Sequence, residues 1–153
     1  MHLALINIAK AKYPMDDPRM SGFVNNLDAV NKAADHSPGF IWRLIDNVTN
    51  STVSIRAFED PDIITNMAVW RDLEALENYT YRTIHKQVFA SRHDWFGKLD
   101  GPHMALWWIN EGGIPTVEEG KRRLQLIADK GPCPEAFTFG TPFSATGKPE
   151  AND

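Results

Sequence analysis

His2-Leu3-Ala4-Leu5-Ile6-Asn7-Ile8-Ala9 is the run on which the fold turns. It is apolar at nearly every position and holds no Gly or Pro. That is the pattern of a strand covered on both faces rather than one. Only Asn7 breaks its interior. Outward from it, two prolines make Tyr13–Pro18 a loop. Pro18-Arg19 opens a helix with Asp16 or Asp17 as its N-cap. Met20, Phe23, Leu27, Val30 and Ala34 recur at three- and four-residue spacing, so the helix runs to about Asp35 and buries one stripe. Ser37-Pro38-Gly39 stops it.

Further strands are expected at Phe40–Ile45, Thr52–Phe58 and Ile63–Trp70, linked closely enough for an antiparallel meander. Alternation puts Phe40, Trp42 and Leu44 on one face and Ile41, Arg43 and Ile45 on the other. One long helix is expected over Leu73–Phe96, with a kink near Thr80. Tyr81, His85 and Phe89 share a row of it at four-residue spacing. His103–Ile109 reads as a strand with Trp107 and Trp108 on opposite faces. Thr116 caps a last helix to about Lys130, with Glu119 completing a capping box. Ala136–Phe139 adds a short edge strand, and residues 140–153 are expected to be a disordered tail beyond a single domain over 1–139.

This order predicts an α+β fold: a ferredoxin-like antiparallel sheet with helices on one face and an extra C-terminal helix. The strands carry large apolar groups on both faces, more than helices on one face can cover. The second face then needs a ligand or another sheet, and a homodimer closing two sheets over a shared interior is expected.

Composition narrows the function. The 153 residues are 42% hydrophobic and 24% charged, which suits one soluble domain. Net charge is -4 and pI about 5.7, and the densest basic patch is only Lys121-Arg122-Arg123. No nucleic-acid partner is expected from that. No apolar run reaches the length of a membrane span, so no membrane partner is expected. Cys133 is the single cysteine and can form neither an internal disulfide nor a cysteine zinc site. With no signal-peptide pattern in residues 1–20, the expectation is a cytoplasmic protein. The five histidines lack metal-ligand spacing; His85 and His93 lie two turns apart, so no metal is expected.

Several stretches carry a family resemblance. They are Asp16-Asp17-Pro18-Arg19-Met20, Pro38-Gly39-Phe40-Ile41-Trp42-Arg43-Leu44, Asn66-Met67-Ala68-Val69-Trp70 and Pro102-His103-Met104-Ala105-Leu106-Trp107-Trp108. The late run from Pro115-Thr116-Val117-Glu118-Glu119 to Ala136-Phe137-Thr138-Phe139 joins them. Over residues 3–139 the chain resembles the domain-of-unknown-function 3291 family, which looks like a branch of the dimeric α/β-barrel superfamily. That superfamily includes antibiotic-biosynthesis monooxygenases and haem-degrading monooxygenases. The resemblance implies a ferredoxin-like protomer and a barrel-forming homodimer. It leaves the activity open, because one fold hosts many chemistries. In the haem-degrading relatives a helix after a Val-Trp motif carries the haem-ligating His. Val69-Trp70 followed by His85 is similar in order, with a shorter spacing. Asn7 and Tyr79 match their strand Asn and helix aromatic, although theirs is Trp.

The candidate catalytic residues are therefore His85, Asn7 and Tyr81. His85 lies between two aromatics and suits a general base or a haem ligand; it equally suits a buried His bonded to a carbonyl. Asn7 is a polar amide that must find partners in an apolar strand. Trp42, Trp70, Tyr79, Phe89 and Trp108 are candidate walls for a flat aromatic ligand, and equally core residues. Arg43 and Arg56, on neighbouring strands, are candidates to clamp a carboxylate. The expected function is monooxygenation of a planar aromatic or polyketide-like molecule with no cofactor. Two alternatives stand beside it: a haem-binding or haem-degrading protein with His85 as axial ligand, and a non-enzymatic ligand-binding dimer.

Overall fold

The apolar run forms β1 (His2–Ala11), a central strand with partners on both sides. The structure, a computed structural model, describes residues 1–45 and 57–150. On one side β1 pairs antiparallel with β3 (Ile63–Trp70), from Leu3 opposite Trp70 to Lys10 opposite Ile63. On the other it pairs antiparallel with β5 (Met104–Ile109), from His2 opposite Ile109 to Asn7 opposite Met104. The two-residue β4 (Phe96–Gly97) continues that side against Lys10 and Ala11. β2 (Phe40–Arg43) lies outside β3. The order β2-β3-β1-β5, all antiparallel, with α1 between β1 and β2 and further helices between β3 and β5, is the ferredoxin-like α+β arrangement expected from the sequence.

The first helix starts as the sequence requires. Asp17 caps a 3-10 turn at Pro18–Met20, which leads into α1 (Ser21–Asp35). Arg19 donates to the Asp17 carboxylate from its guanidinium and its backbone N–H, and these bonds hold that carboxyl down at about 2. Gly39 turns the chain into β2 with φ +85°, and a Cβ there would meet the Ala75 Cβ at 2.5 Å. Only glycine fits that approach.

Four expectations are corrected. The alternation predicted over Phe40–Ile45 is interrupted by a bulge between Phe40 and Trp42. Two residues of one strand then oppose a single step of the other, so the faces exchange. Phe40 and Arg43 share the face of Trp70 and Ala68, while Trp42 shares that of Val69. The expected helix Leu73–Phe96 is three helices, α2 (Leu73–Arg82), α3 (Ile84–Ala90) and α4 (Arg92–Trp95). Its break falls at Thr83, which is extended and accepts from the His85 N–H while donating to the Tyr79 carbonyl. The expected strand Thr52–Phe58 falls mostly outside the described residues, and Ala57 and Phe58 are not in a strand.

The fourth correction concerns the tail and the second face. Residues 140–150, expected to be disordered, fold back along β5. The Phe143 carbonyl accepts from Trp108 Nε1 at 2.8 Å, and Phe143 bridges to Pro149. Apolar Phe143 packs on buried Phe137, and this burial outweighs the polar composition around it. Residues 151–153 lie outside the described residues.

Helices α1 and α2 cover the face of Leu3, Leu5, Ala68, Trp70 and Leu106. The opposite face holds Ala4, Ile6, Ile8, Met67, Val69, Ala105 and Trp107, and these too are buried within the single chain. Their cover is α5 (Val117–Lys130), through Leu124, Val117 and Ile127, together with Phe58 and Leu99. Helices therefore lie on both faces, and the apolar second face does not by itself call for a partner. Thr116 caps α5 by accepting from the Glu119 N–H at 3.1 Å. The Glu119 carboxylate turns to Arg123 at 2.9 Å, so half of the expected capping box forms. No described helix is long and apolar enough to cross a membrane.

Candidate functional site

Between the sheet and the α1–α3 layer lies a cavity of about 330 Å³. That volume is at the small end of the range for ligand pockets, ~300–1,000 Å³. Its floor is the sheet face carrying Leu5, Asn7, Asn66, Ala68, Trp70 and Met104. One wall is a chain of rings. Phe40 meets Trp70 edge-on at 5.4 Å, Trp70 stacks on Tyr79 at 5.0 Å, Tyr79 lies 5.1 Å from His85, and His85 stacks on Phe89 at 6.2 Å. Five side chains from β2, β3, α2 and α3 thus make one aromatic surface.

The break at Thr83 builds this wall. It begins α3 as a separate helix, so His85 packs on Tyr79 from the preceding helix rather than on Tyr81. The His85 Nδ1 lies 3.2 Å from the Thr80 carbonyl. A carbonyl only accepts, so Nδ1 carries the proton and the lone pair of the neutral ring is on Nε2. Burial lowers the His85 pKa, against a smaller opposite pull from the Thr80 bond. The imidazole is therefore neutral near pH 7, with one free basic nitrogen. Burial also pushes the Tyr79 phenol well above its ordinary value; its hydroxyl donates to the Val30 carbonyl at 3.3 Å. Tyr79 is a protonated wall, not a proton acceptor.

Most of the sequence candidates meet here. His85, Asn7, Tyr81, Trp70, Tyr79, Phe89 and Arg43 all line the cavity. Arg43 is held by Asp35, Nε to Oδ1 at 2.8 Å and Nη2 to Oδ2 at 3.2 Å, with its side chain 10% exposed. Tyr81 lines the cavity at its edge, 46% exposed, with its ring against Phe139 rather than His85. Two candidates lie elsewhere. Trp42 is on the α5 face because of the bulge. Trp108 is on the cavity side of the sheet, but Phe143 occupies its indole N–H and it does not line the cavity. Arg56 lies outside the described residues.

Asn66 was not singled out from sequence. It stands directly opposite Asn7 in the β1–β3 register, so two carboxamides sit side by side on the floor. Neither amide side chain has a hydrogen-bond partner among the described residues. Period-two counting back from Trp70 through Ala68 places Asn66 on the cavity face, and that signal was legible. Asn31 on α1 and His103 before β5 complete the polar lining.

No cluster among the described residues has three groups able to hold a metal ion. The lining also does not suit haem. The macrocycle carries two propionates that need cations at its rim. Among the described lining residues the only Lys or Arg is Arg43, which Asp35 engages. A neutral His85 would supply one axial ligand without the rest of the site.

The profile of the DUF3291 family, a domain of unknown function, matches residues 2–153. No curated protein sequence matches the chain. Among solved structures, a conserved protein from Methanosarcina mazei superposes with a TM-score of 0.54 at 14% identity, over 72% of this chain and 94% of that one. SnoaB, a cofactor-independent oxygenase from Streptomyces nogalater, superposes with a TM-score of 0.51 at 12% identity, over 75% and 98%. A protein of unknown function from Nitrosomonas europaea gives 0.50 at 13% identity, over 75% and 95%. At such identities the likeness establishes the shared fold.

Proposed function

The chain belongs to the DUF3291 family, and from its cavity we propose a cofactor-independent monooxygenase acting on a planar phenolic or polyketide-like molecule. The observation that carries this is the neutral His85, its Nε2 without a partner among the described residues, set in a wall of four aromatic rings above the Asn7 and Asn66 carboxamides, which likewise have none there. The fold shared with a cofactor-independent oxygenase supports the reading.

The chemistry asks little of the protein. An acidic CH2 between aromatic rings, as in an anthrone, loses one proton to His85 Nε2. The resonance-stabilised anion adds O2 to give a peroxide. The O–O bond breaks as the second hydrogen leaves, so CH2 and O2 become C=O and H2O. Molecular oxygen is the oxidant and the substrate carbon is oxidised. The protein holds the ring system against Trp70 and Tyr79, excludes water and accepts the first proton. The Asn7 and Asn66 amide groups stand where they can donate to an oxyanion on the ring. A homodimer, expected from the family resemblance, belongs to this proposal with its contact outside the sheet face that α5 covers.

Oxygen uptake with 1,8-dihydroxyanthrone tests it. The wild-type protein consumes one O2 per anthrone, and His85→Gln lowers kcat by ~10²–10⁴, the usual worth of a positioned base. Asn7→Ala lowers kcat with a smaller effect on KM. Unchanged turnover in His85→Gln removes the base assignment. Tight binding without any O2 uptake makes the chain a ligand-binding protein instead.

A further inference from the structure

The segment after α5 closes one side of the cavity mouth. Thr138, Phe139 and Gly140 line the cavity from the β5 edge. The segment is pinned on both sides of Phe139. Two residues before it, the fully buried Phe137 exchanges main-chain hydrogen bonds with Leu106 at 2.8 and 2.9 Å. Four residues after it, Phe143 accepts from Trp108 Nε1 at 2.8 Å and rests its ring on Phe137, 5.9 Å centre to centre. The backbone that carries Phe139 therefore shifts only if the strap lifts from the sheet.

Across the mouth stands Tyr81, its ring 5.8 Å from that of Phe139. Tyr81 is next to last in α2, just before the break at Thr83, and its hydroxyl has no partner among the described residues. With 46% of its surface exposed, its side chain has room to change rotamer on the fast timescale of surface residues. One ring of the contact stands on a pinned backbone, and the other is exposed near the end of its helix.

We propose that Tyr81 and Phe139 form an aromatic gate, with Tyr81 as its moving leaf and Phe139 as the stop that sets the length of planar ligand admitted. This rests on the reading of the cavity as a substrate site. A rigid ligand seated against Trp70, Tyr79 and His85 has its outer edge in the mouth that the two rings span. Phe139 is then the specificity residue, and Tyr81 governs entry and exit rather than catalysis.

Two measurements test the gate. Calorimetric titration compares three-ring 1,8-dihydroxyanthrone with a four-ring tetracenone in wild type, Phe139→Ala, Phe139→Leu and Tyr81→Ala. Phe139→Ala tightens the four-ring probe at least tenfold relative to the three-ring probe, and Phe139→Leu falls between. Tyr81→Ala leaves that ratio within about twofold and speeds dissociation of both probes. A ratio unmoved in both Phe139 variants overturns the proposal. The second measurement uses no ligand. NMR titration of His85 reads how well the gate shuts out water, and its pKa rises toward 6.5 in Phe139→Ala and Phe139→Leu. If no probe binds the wild type but the His85 titration shifts, the gate stands and the oxygenase reading fails. If anthrone turns over normally but neither ratio nor titration moves, the gate fails and the oxygenase reading stands.

Discussion

In the proposed reaction His85 is the base: burial holds its pKa below the ordinary value while the Thr80 carbonyl fixes its tautomer. Both effects have pH signatures. The basic form persists as pH falls past 6.5, so kcat/KM holds until the pH reaches the lowered value of the folded protein. Stability behaves differently. Between the folded value and 6.5 the unfolded chain binds a proton that the folded chain refuses, so unfolding is favoured as pH falls through that window. The contribution is complete above 6.5 and is lost on acidification through the folded value. Urea midpoints at pH 8 and pH 5 check this: wild type loses more than His85→Gln between the two. Equal losses would mean that His85 titrates as a free histidine. At this scale the helical row Tyr81–His85–Phe89 put His85 beside Phe89 but missed Tyr79, which the family resemblance and not the spacing singled out. The sequence named Arg43 as a carboxylate clamp and Tyr81 as catalytic but not their partners, because Asp35 and Phe139 reach them only through the tertiary fold.

The break between α2 and α3 sets the element scale. Thr83 is no helix breaker by type, and apolar residues continue at helical spacing across it, so the pattern reads as one helix. What makes the break is the pair of hydrogen bonds at its hydroxyl, to the Tyr79 carbonyl at 2.6 Å and from the His85 N–H at 3.3 Å. Thr83→Ala removes the cap and costs ~1 kcal/mol, the usual worth of a helix N-cap, seen as a lower urea midpoint. Because α3 carries His85 and Phe89, the same change loosens the imidazole against Tyr79 and lowers kcat more than it raises KM. A drop in stability with kcat intact would show that the wall tolerates a shifted helix. The bulge at Ile41 escaped the sequence for a similar reason. Alternation over Phe40–Ile45 is satisfied without it, and only pairing with β3 demands the extra residue. The order of elements, by contrast, was legible, since caps and stops at Asp17, Gly39, Thr116 and Gly131 each act on adjacent backbone.

For the whole molecule the decisive contact is α5 on the second sheet face. The sequence shows that both faces are apolar but not which of its own helices returns to cover the second. At Gly120 the helix presses so close that a Cβ would meet Ile6 Cδ1 at 2.8 Å and Met67 Cε at 3.1 Å. Gly120→Val therefore levers α5 away, with overpacking of this kind costing ~1–3 kcal/mol. The uncovered face, with Ile6, Met67, Val69 and Trp107, then associates, and sedimentation shows concentration-dependent oligomers. Anthrone binding survives, since the cavity lies on the opposite face. A variant that keeps the wild-type size and stability would show that α5 is not what shields the sheet.

The placement of β1 has one more consequence, for the order of events in time. Within this domain β1 precedes both of the strands that flank it, and its partners Trp70 and Trp108 lie far along the chain. Its pairing must wait for residues made much later, and closing such long loops is slow. The domain is then a slow folder for its size, with its most apolar segment unpaired until the residues of β3 and β5 have followed it. That interval, not the finished structure, is when the protein is most open to chaperones and to misassembly.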